Sequence, residues 1–139
     1  MEPRPVRLTN PEVFRSTGDD RRFLTTYAAR VIRSIWCRRV GELQAPSVTV
    51  IRAATQDEPL QHRLVYHSPD GFEWGYGGSG PSELALNILA LFVPAPEAWR
   101  LHHPFKDQFV ATLPHPGGTI LGSQIVDWIQ KQWAEGRPA

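Results

Sequence analysis

Apolar and polar positions follow two different periods along this chain, and the changes of period mark its expected elements. From about residue 20 to residue 39 the apolar residues Phe23, Leu24, Tyr27, Ala28, Val31 and Ile35 recur at three- and four-residue intervals, the stripe of an amphipathic helix. Asp19 or Asp20 supplies an N-cap, and Gly41 stands just past the expected end. Arg22, Arg30 and Arg33 fall on the opposite side, so the helix is expected to present a basic outer face. That face reads either as an ordinary solvated surface or as a contact for an acidic partner.

The period then shortens. Ser47 to Ala53 is β-branched and partly alternating, Gln56 to Pro59 carries turn residues, and Gln61 to His67 alternates again. Two strands joined by so short a connection predict an antiparallel hairpin. After a glycine-rich stretch a helix is expected from about Ser82 to Phe92, stopped by Pro94 and Pro96. A third helix is expected over Glu97 to Leu113, with a break at Pro104 and a buried side of Trp99, Phe105, Phe109 and Leu113. Thr119 to Leu121 reads as an extended piece. Ser123 then caps a last helix to about Trp133, with Ile125, Trp128 and Ile129 inward. The expected class is α+β: a small antiparallel sheet packed with three to four helices in a single domain. Within it, residues 1–45 form an arm with the basic helix, and residues 46–139 form the α+β part with the glycine turn.

Composition narrows the function classes. The chain has 139 residues, 41% apolar and 21% charged, which suits one globular core. Its net charge of +1 argues against nucleic acid as the main partner. The distribution is uneven, however. Residues 1–45 hold nine Arg against five acids, whereas residues 46–139 hold six bases against nine acids. The lone Cys37 excludes an internal disulfide and a cysteine-based zinc site. No apolar run approaches the roughly 20 residues a membrane span needs, and no signal peptide is visible. A cytoplasmic location is therefore expected.

The densest chemical signal lies between the second strand and the second helix, in Trp74-Gly75-Tyr76-Gly77-Gly78-Ser79-Gly80-Pro81. Glycines at this density let the backbone approach a ligand closely. Pro81 suits the start of a helix, with Gly80 as its cap and Glu83 in its first turn. A turn that feeds a helix N-terminus can hold an anion on its backbone amides, and Trp74 and Tyr76 would add stacking surface for a base. The same residues equally describe a tight connection whose aromatics fill the core, or a loop that contacts a protein. Gly75, Gly77 and Gly80 match the dinucleotide spacing, but the helix that follows runs into prolines rather than a second parallel strand, so that reading fails. No lysine follows the last glycine, which excludes a Walker loop.

The residues offer no catalytic set. Ser79, His67 and Asp70 can be combined on paper, but Ser79 lacks the strand-to-helix elbow of a serine nucleophile. His62, His67, His102, His103 and His115 show no metal-ligand spacing, and the adjacent His102 and His103 would diverge by about 100° on a helix. Neither a metal site nor a cofactor is expected, and the protein is expected not to be an enzyme.

The run Tyr66 to Pro81 followed by Leu84-Ala85-Leu86, with Phe105-Lys106, Val110-Ala111, Leu113-Pro114, Ile125-Val126 and Trp128-Ile129 downstream, resembles the domain-of-unknown-function 6166 family over roughly residues 47–131. The family consists of small proteins of phages, plasmids and bacterial genomes. It carries no activity to transfer. What the resemblance implies is a mobile-element setting and a shared glycine-loop surface. The expected function is then that of an accessory protein binding and modulating a host protein of the defence or transcription machinery. The alternative is a nucleotide or phosphate ligand at Trp74, Gly75, Tyr76, Gly77, Gly78, Ser79 and Gly80.

Overall fold

The computed structural model describes residues 32–136. Its centre is a four-stranded sheet of β1 (Ile32–Val40), β2 (Ala45–Arg52), β3 (Glu58–Pro59) and β4 (Gly117–Leu121), in the order β3-β2-β1-β4. Each neighbouring pair is antiparallel. Among the described residues three α-helices accompany it: α1 (Ser79–Leu89), α2 (Ala95–Phe105) and α3 (Gly122–Ala134). The class is α+β, as the mixed periods of the sequence predict.

The largest departure from the sequence reading is β1. Residues 32–39 were expected to close the basic helix, yet they form an inner strand paired with both β2 and β4. Only Val31 and Ile35 carried the helical stripe into this stretch, and residues 32–40 themselves, Ile-Arg-Ser-Ile-Trp-Cys-Arg-Arg-Val, are rich in strand formers. Ile35 and Cys37 point into the core, whereas Arg33, Trp36 and Arg38 are exposed. Once β2 and β4 offer hydrogen bonds on both sides, this two-residue alternation satisfies more groups than a lone helix would. The rest of the expected helix, Arg22 and Arg30 included, lies outside the described residues.

The expected hairpin is also rearranged. β2 pairs with β1 through the turn at residues 41–44, where Gly41 sits at φ +72°. On its other side, among the described residues, β2 pairs with the two-residue β3. Residues 61–67 form no regular strand. Their backbone is instead held by side chains of α1, described below.

The helices bury their apolar faces against the inner side of the sheet. Ile35, Val48, Val50 and Ile120 from the strands join Leu84, Ile88, Leu101, Phe105, Ile125 and Ile129 in one core. α1 is buried over nearly its whole length, which fits the unbroken apolar run Leu84 to Leu86 and Ile88 to Leu89. α2 ends near Pro104, whose missing N–H cannot bond back to Arg100, and continues as a π-helical turn over Lys106–Val110. The wider turn is visible in the bond from the Ala111 amide to the Lys106 carbonyl, 2.8 Å. α3 starts two residues earlier than expected. Its cap is Leu121, whose amide donates to Gln124 Oε1 at 3.0 Å, and Ser123 lies inside the first turn.

Candidate functional site

The glycine-rich stretch leads into a helix as expected, but the strand expected before it is absent and its chemistry differs. Trp74 is only 1% exposed. Its indole N–H donates to the His115 carbonyl at 3.1 Å, and the Arg39 guanidinium lies over its ring, 4.5 Å from the centroid. Arg39 also grips Glu73 with two bonds of 3.2 and 2.9 Å, and donates a third to the His115 carbonyl at 2.9 Å. Trp74 is thus a clamped core residue whose faces are taken, not a stacking platform for a base. Arg39 of β1 and Glu73 of the turn tie the sheet to the loop.

The glycines also divide into different roles. Gly75 sits at φ +89°, and its amide donates to the Val110 carbonyl at 3.1 Å. Gly78 has φ −147°, ordinary extended backbone, and caps α1 in place of the expected Gly80. Gly77 lies outside the left-handed region and faces open space. Neither Gly77 nor Gly78 therefore needs a left-handed backbone angle. Ser79 opens the helix and is exposed, while Gly80 is buried because Glu73 packs against it, 2.7 Å from where a Cβ would stand. Two carboxyl-bearing residues, Glu73 and Glu83, border the helix start, which is unfavourable for a phosphate. Tyr76, 53% exposed, is the aromatic of this stretch that remains accessible.

A polar staple that the sequence reading missed lies on α1. Asn87 Oδ1 accepts from the amides of Arg63 and Leu64 at 3.0 and 2.9 Å, and its amide nitrogen donates to the carbonyls of Leu64 and Glu83, both at 2.9 Å. One turn earlier the fully buried Glu83 accepts from the amides of Tyr66 and His67, the latter at 2.8 Å, and pairs with His62 Nε2 at 2.6 Å. A buried carboxylate needs this many donors to be tolerated. The signal was present: Glu83 and Asn87 are four residues apart, on one face of an otherwise apolar helix.

By fixing residues 63–67, the staple delivers His67 to the side of α2. There His67 Nε2 lies 2.8 Å from His102 Nε2, and one ring nitrogen each of His67, His102 and His103 falls within 4.8 Å of the others. The His102 and His103 rings are 4.0 Å apart between centroids. Adjacent helical residues do diverge at their Cβ atoms, but here the third ring arrives from a loop and both helical rings tilt toward it. His67 stacks on Trp99 with planes 6° apart, and Tyr66 meets the same indole edge-on at 4.4 Å. His102 Nδ1 faces the Trp99 carbonyl at 2.6 Å. A carbonyl only accepts, so Nδ1 carries the proton and Nε2 presents a lone pair toward His67.

Burial dominates the acid–base behaviour of this cluster. It pushes His102 down to about 3, with the charges of His103, His67 and Lys106 lowering it further against the Trp99 carbonyl. His67 is lowered by burial, partly offset by Glu83, and His103 is lowered by burial and Lys106, partly offset by Asp107. The unfolded chain takes up a proton on His102 near pH 6.5, while the native state resists until about pH 3, so stability declines as pH falls through that window. Urea midpoints measured from pH 7 to pH 4 should fall, and His102→Gln should flatten that slope. An equal slope in the variant would assign the pH dependence to other groups.

On the far side of the sheet, Trp36 of β1 is 38% exposed, flanked across the register by Thr49 of β2 and Thr119 of β4. The Arg38 guanidinium lies 4.2 Å over its ring. Leu121, 48% exposed, stands next along the face opposite Ser34, beside a shallow recess lined by Ile32, Arg33, Leu121, Val126 and Asp127. Of the three arginines expected on a basic face, Arg33 is thus exposed at the edge of this surface. Cys37, on the inner side, is buried and its thiol is pushed up to about 12, which makes it inert rather than nucleophilic. Among the described residues, no helix is long and apolar enough to cross a membrane.

The class to which this protein belongs is defined by sequence pattern rather than by a known reaction. Residues 39–131 match the family of unknown function DUF6166, and the chain belongs to that family. The match begins inside β1, somewhat earlier than the resemblance read from the sequence, and so takes in the Arg39 that clamps Trp74. No curated protein matches the chain, and no solved structure matches it.

Proposed function

We propose that this protein is a non-enzymatic accessory module of the mobile-element type that binds a host protein through the outer face of its sheet. The observation that supports this reading is the exposed Trp36–Arg38 pair on an inner strand, with Leu121 and Arg33 beside it. Trp and Arg are the side chains that most often anchor protein interfaces. A Trp held flat under a guanidinium is already ordered, so binding costs it little side-chain entropy. The two exposed arginines favour a partner with an acidic rim, consistent with the excess of Arg in residues 1–45. Tyr76 is the one observation that favours the second reading, a nucleotide or phosphate at the glycine turn.

The test is capture from a host lysate by immobilised protein, with Trp36→Ala/Arg38→Glu as the comparison. The expected result is a protein retained by the wild type, eluted by moderate salt, and lost with the double variant. Trp36 is 38% exposed and still partly packed on the sheet, so its truncation should lower the melting temperature somewhat, and both proteins are compared well below it with folding checked by circular dichroism. Equal retention by the variant would sink the proposed face. A nucleotide released from the purified protein, in place of a captured protein, would favour the second reading.

A further inference from the structure

We propose that His67, His102 and His103 form a binding site for a divalent transition metal of the zinc type, with three imidazole ligands and a fourth position open to water or to a partner's side chain. The geometry carries this. In a tetrahedral site with zinc–nitrogen bonds of about 2.0–2.1 Å, ligand nitrogens stand roughly 3.3–3.4 Å apart. His67 Nε2 and His102 Nε2 are 2.8 Å apart and have only to open by about half an ångström. The third ring nitrogen is within 4.8 Å of the other two, and His103 is exposed and able to swing inward.

Three further features match what such a site needs. The lone pair of His102 Nε2 is directed outward from its ring because Nδ1–H is committed to the Trp99 carbonyl, the outer-shell bond that ordinarily orients a metal-bound histidine. Glu83 anchors the amide of His67 at 2.8 Å, which fixes this loop ligand without occupying its ring. The rings are also kept in their neutral, ligand-competent form at neutral pH by burial. Binding then requires His67 to move its ring proton from Nε2 to Nδ1 and releases no net proton. Lys106 is the opposing charge near the cluster, and Asp107 partners it at 3.4 Å. Three neutral nitrogens and no carboxylate favour zinc, cobalt, nickel or copper over magnesium or calcium.

The experiment is titration of the metal-stripped full chain with Co²⁺, and competition by Zn²⁺. One equivalent of Co²⁺ should give visible ligand-field bands of tetrahedral intensity, and Zn²⁺ should abolish them. His103→Ala removes an exposed side chain, so the fold should survive, and affinity should fall by roughly a hundredfold or more, beyond the usual effect of an outer-shell change. His67→Ala should act likewise, with its folding checked by circular dichroism. His115→Ala, which removes an exposed imidazole whose backbone carbonyl alone is used in the fold, should bind as the wild type does. Absence of a stoichiometric tetrahedral spectrum, or an unchanged affinity in His103→Ala, would overturn the site. So would an equal loss in His115→Ala.

Discussion

Replacing Asn87 by alanine is expected to remove a large part of this protein's stability, about 3–5 kcal/mol, from a domain class that holds only about 5–15 in total. The side chain is 2% exposed and closes four hydrogen bonds. Three of its partners, the amides of Arg63 and Leu64 and the carbonyl of Leu64, belong to a segment that forms no regular strand and has a single bridge residue, Leu64. With Asn87 truncated these groups stay beside a buried helix with no replacement, and each unsatisfied group costs about 1–3 kcal/mol. Urea denaturation should show a lower midpoint with a similar slope. Amide exchange at Arg63 and Leu64 should accelerate before the rest of the domain opens. Because the same segment carries His67, this variant should also scatter the histidine cluster. A midpoint within about 0.5 kcal/mol of the wild type would mean that the loop is held by something else.

An alanine at Gly117 is expected to have a comparable effect by a different route. Gly117 sits at φ +123°, and a Cβ there would stand 2.0 Å from the carbonyl oxygen of Cys37, on the strand it pairs with. The obstacle is backbone on an inner strand, so β4 would have to pull away from β1. Strained backbone alone costs about 1–3 kcal/mol, and the lost pairing adds to that, for a total of at least about 3 kcal/mol. Gly77→Ala is the informative contrast. That position faces open space with no left-handed angle, so its stability should change by less than about 0.5 kcal/mol. Paired thermal melts of the two variants decide the matter. Equal destabilisation would show that the turn at residues 74–80, rather than β4, carries the constrained glycine.

Those two glycines show why a glycine-rich stretch is an unreliable guide to strain. The density of glycine at residues 75–80 drew attention to the turn, yet its strict requirements are local: Gly75 needs its positive φ, and Gly80 needs room for Glu73. Gly117, in the short run Pro116-Gly117-Gly118, has the tighter constraint. Nothing in a single sequence reveals that a strand 80 residues earlier, carrying Cys37, passes against it.

Local pattern by itself determined a good deal about this protein. The apolar runs of α1 and α3, the prolines that separate α1 from α2, the strand at Ala45–Arg52 and the α+β class all follow from short-range periodicity and backbone chemistry. The sequence pattern around the glycine turn also identified the family. Tertiary structure decided the rest. Residues 32–40 became a strand because β2 and β4 supply hydrogen-bond partners on both edges, a long-range gain that outweighs a few apolar residues at helical spacing. Trp74 became a core residue because Arg39 and the His115 carbonyl converge on it from distant segments. His67 met His102 and His103 because Glu83 and Asn87 hold its loop against α1. Periodicity reports which face of an element is apolar, but a site assembled from a loop and a helix 35 residues apart exists only once the chain has closed around its buried polar staples.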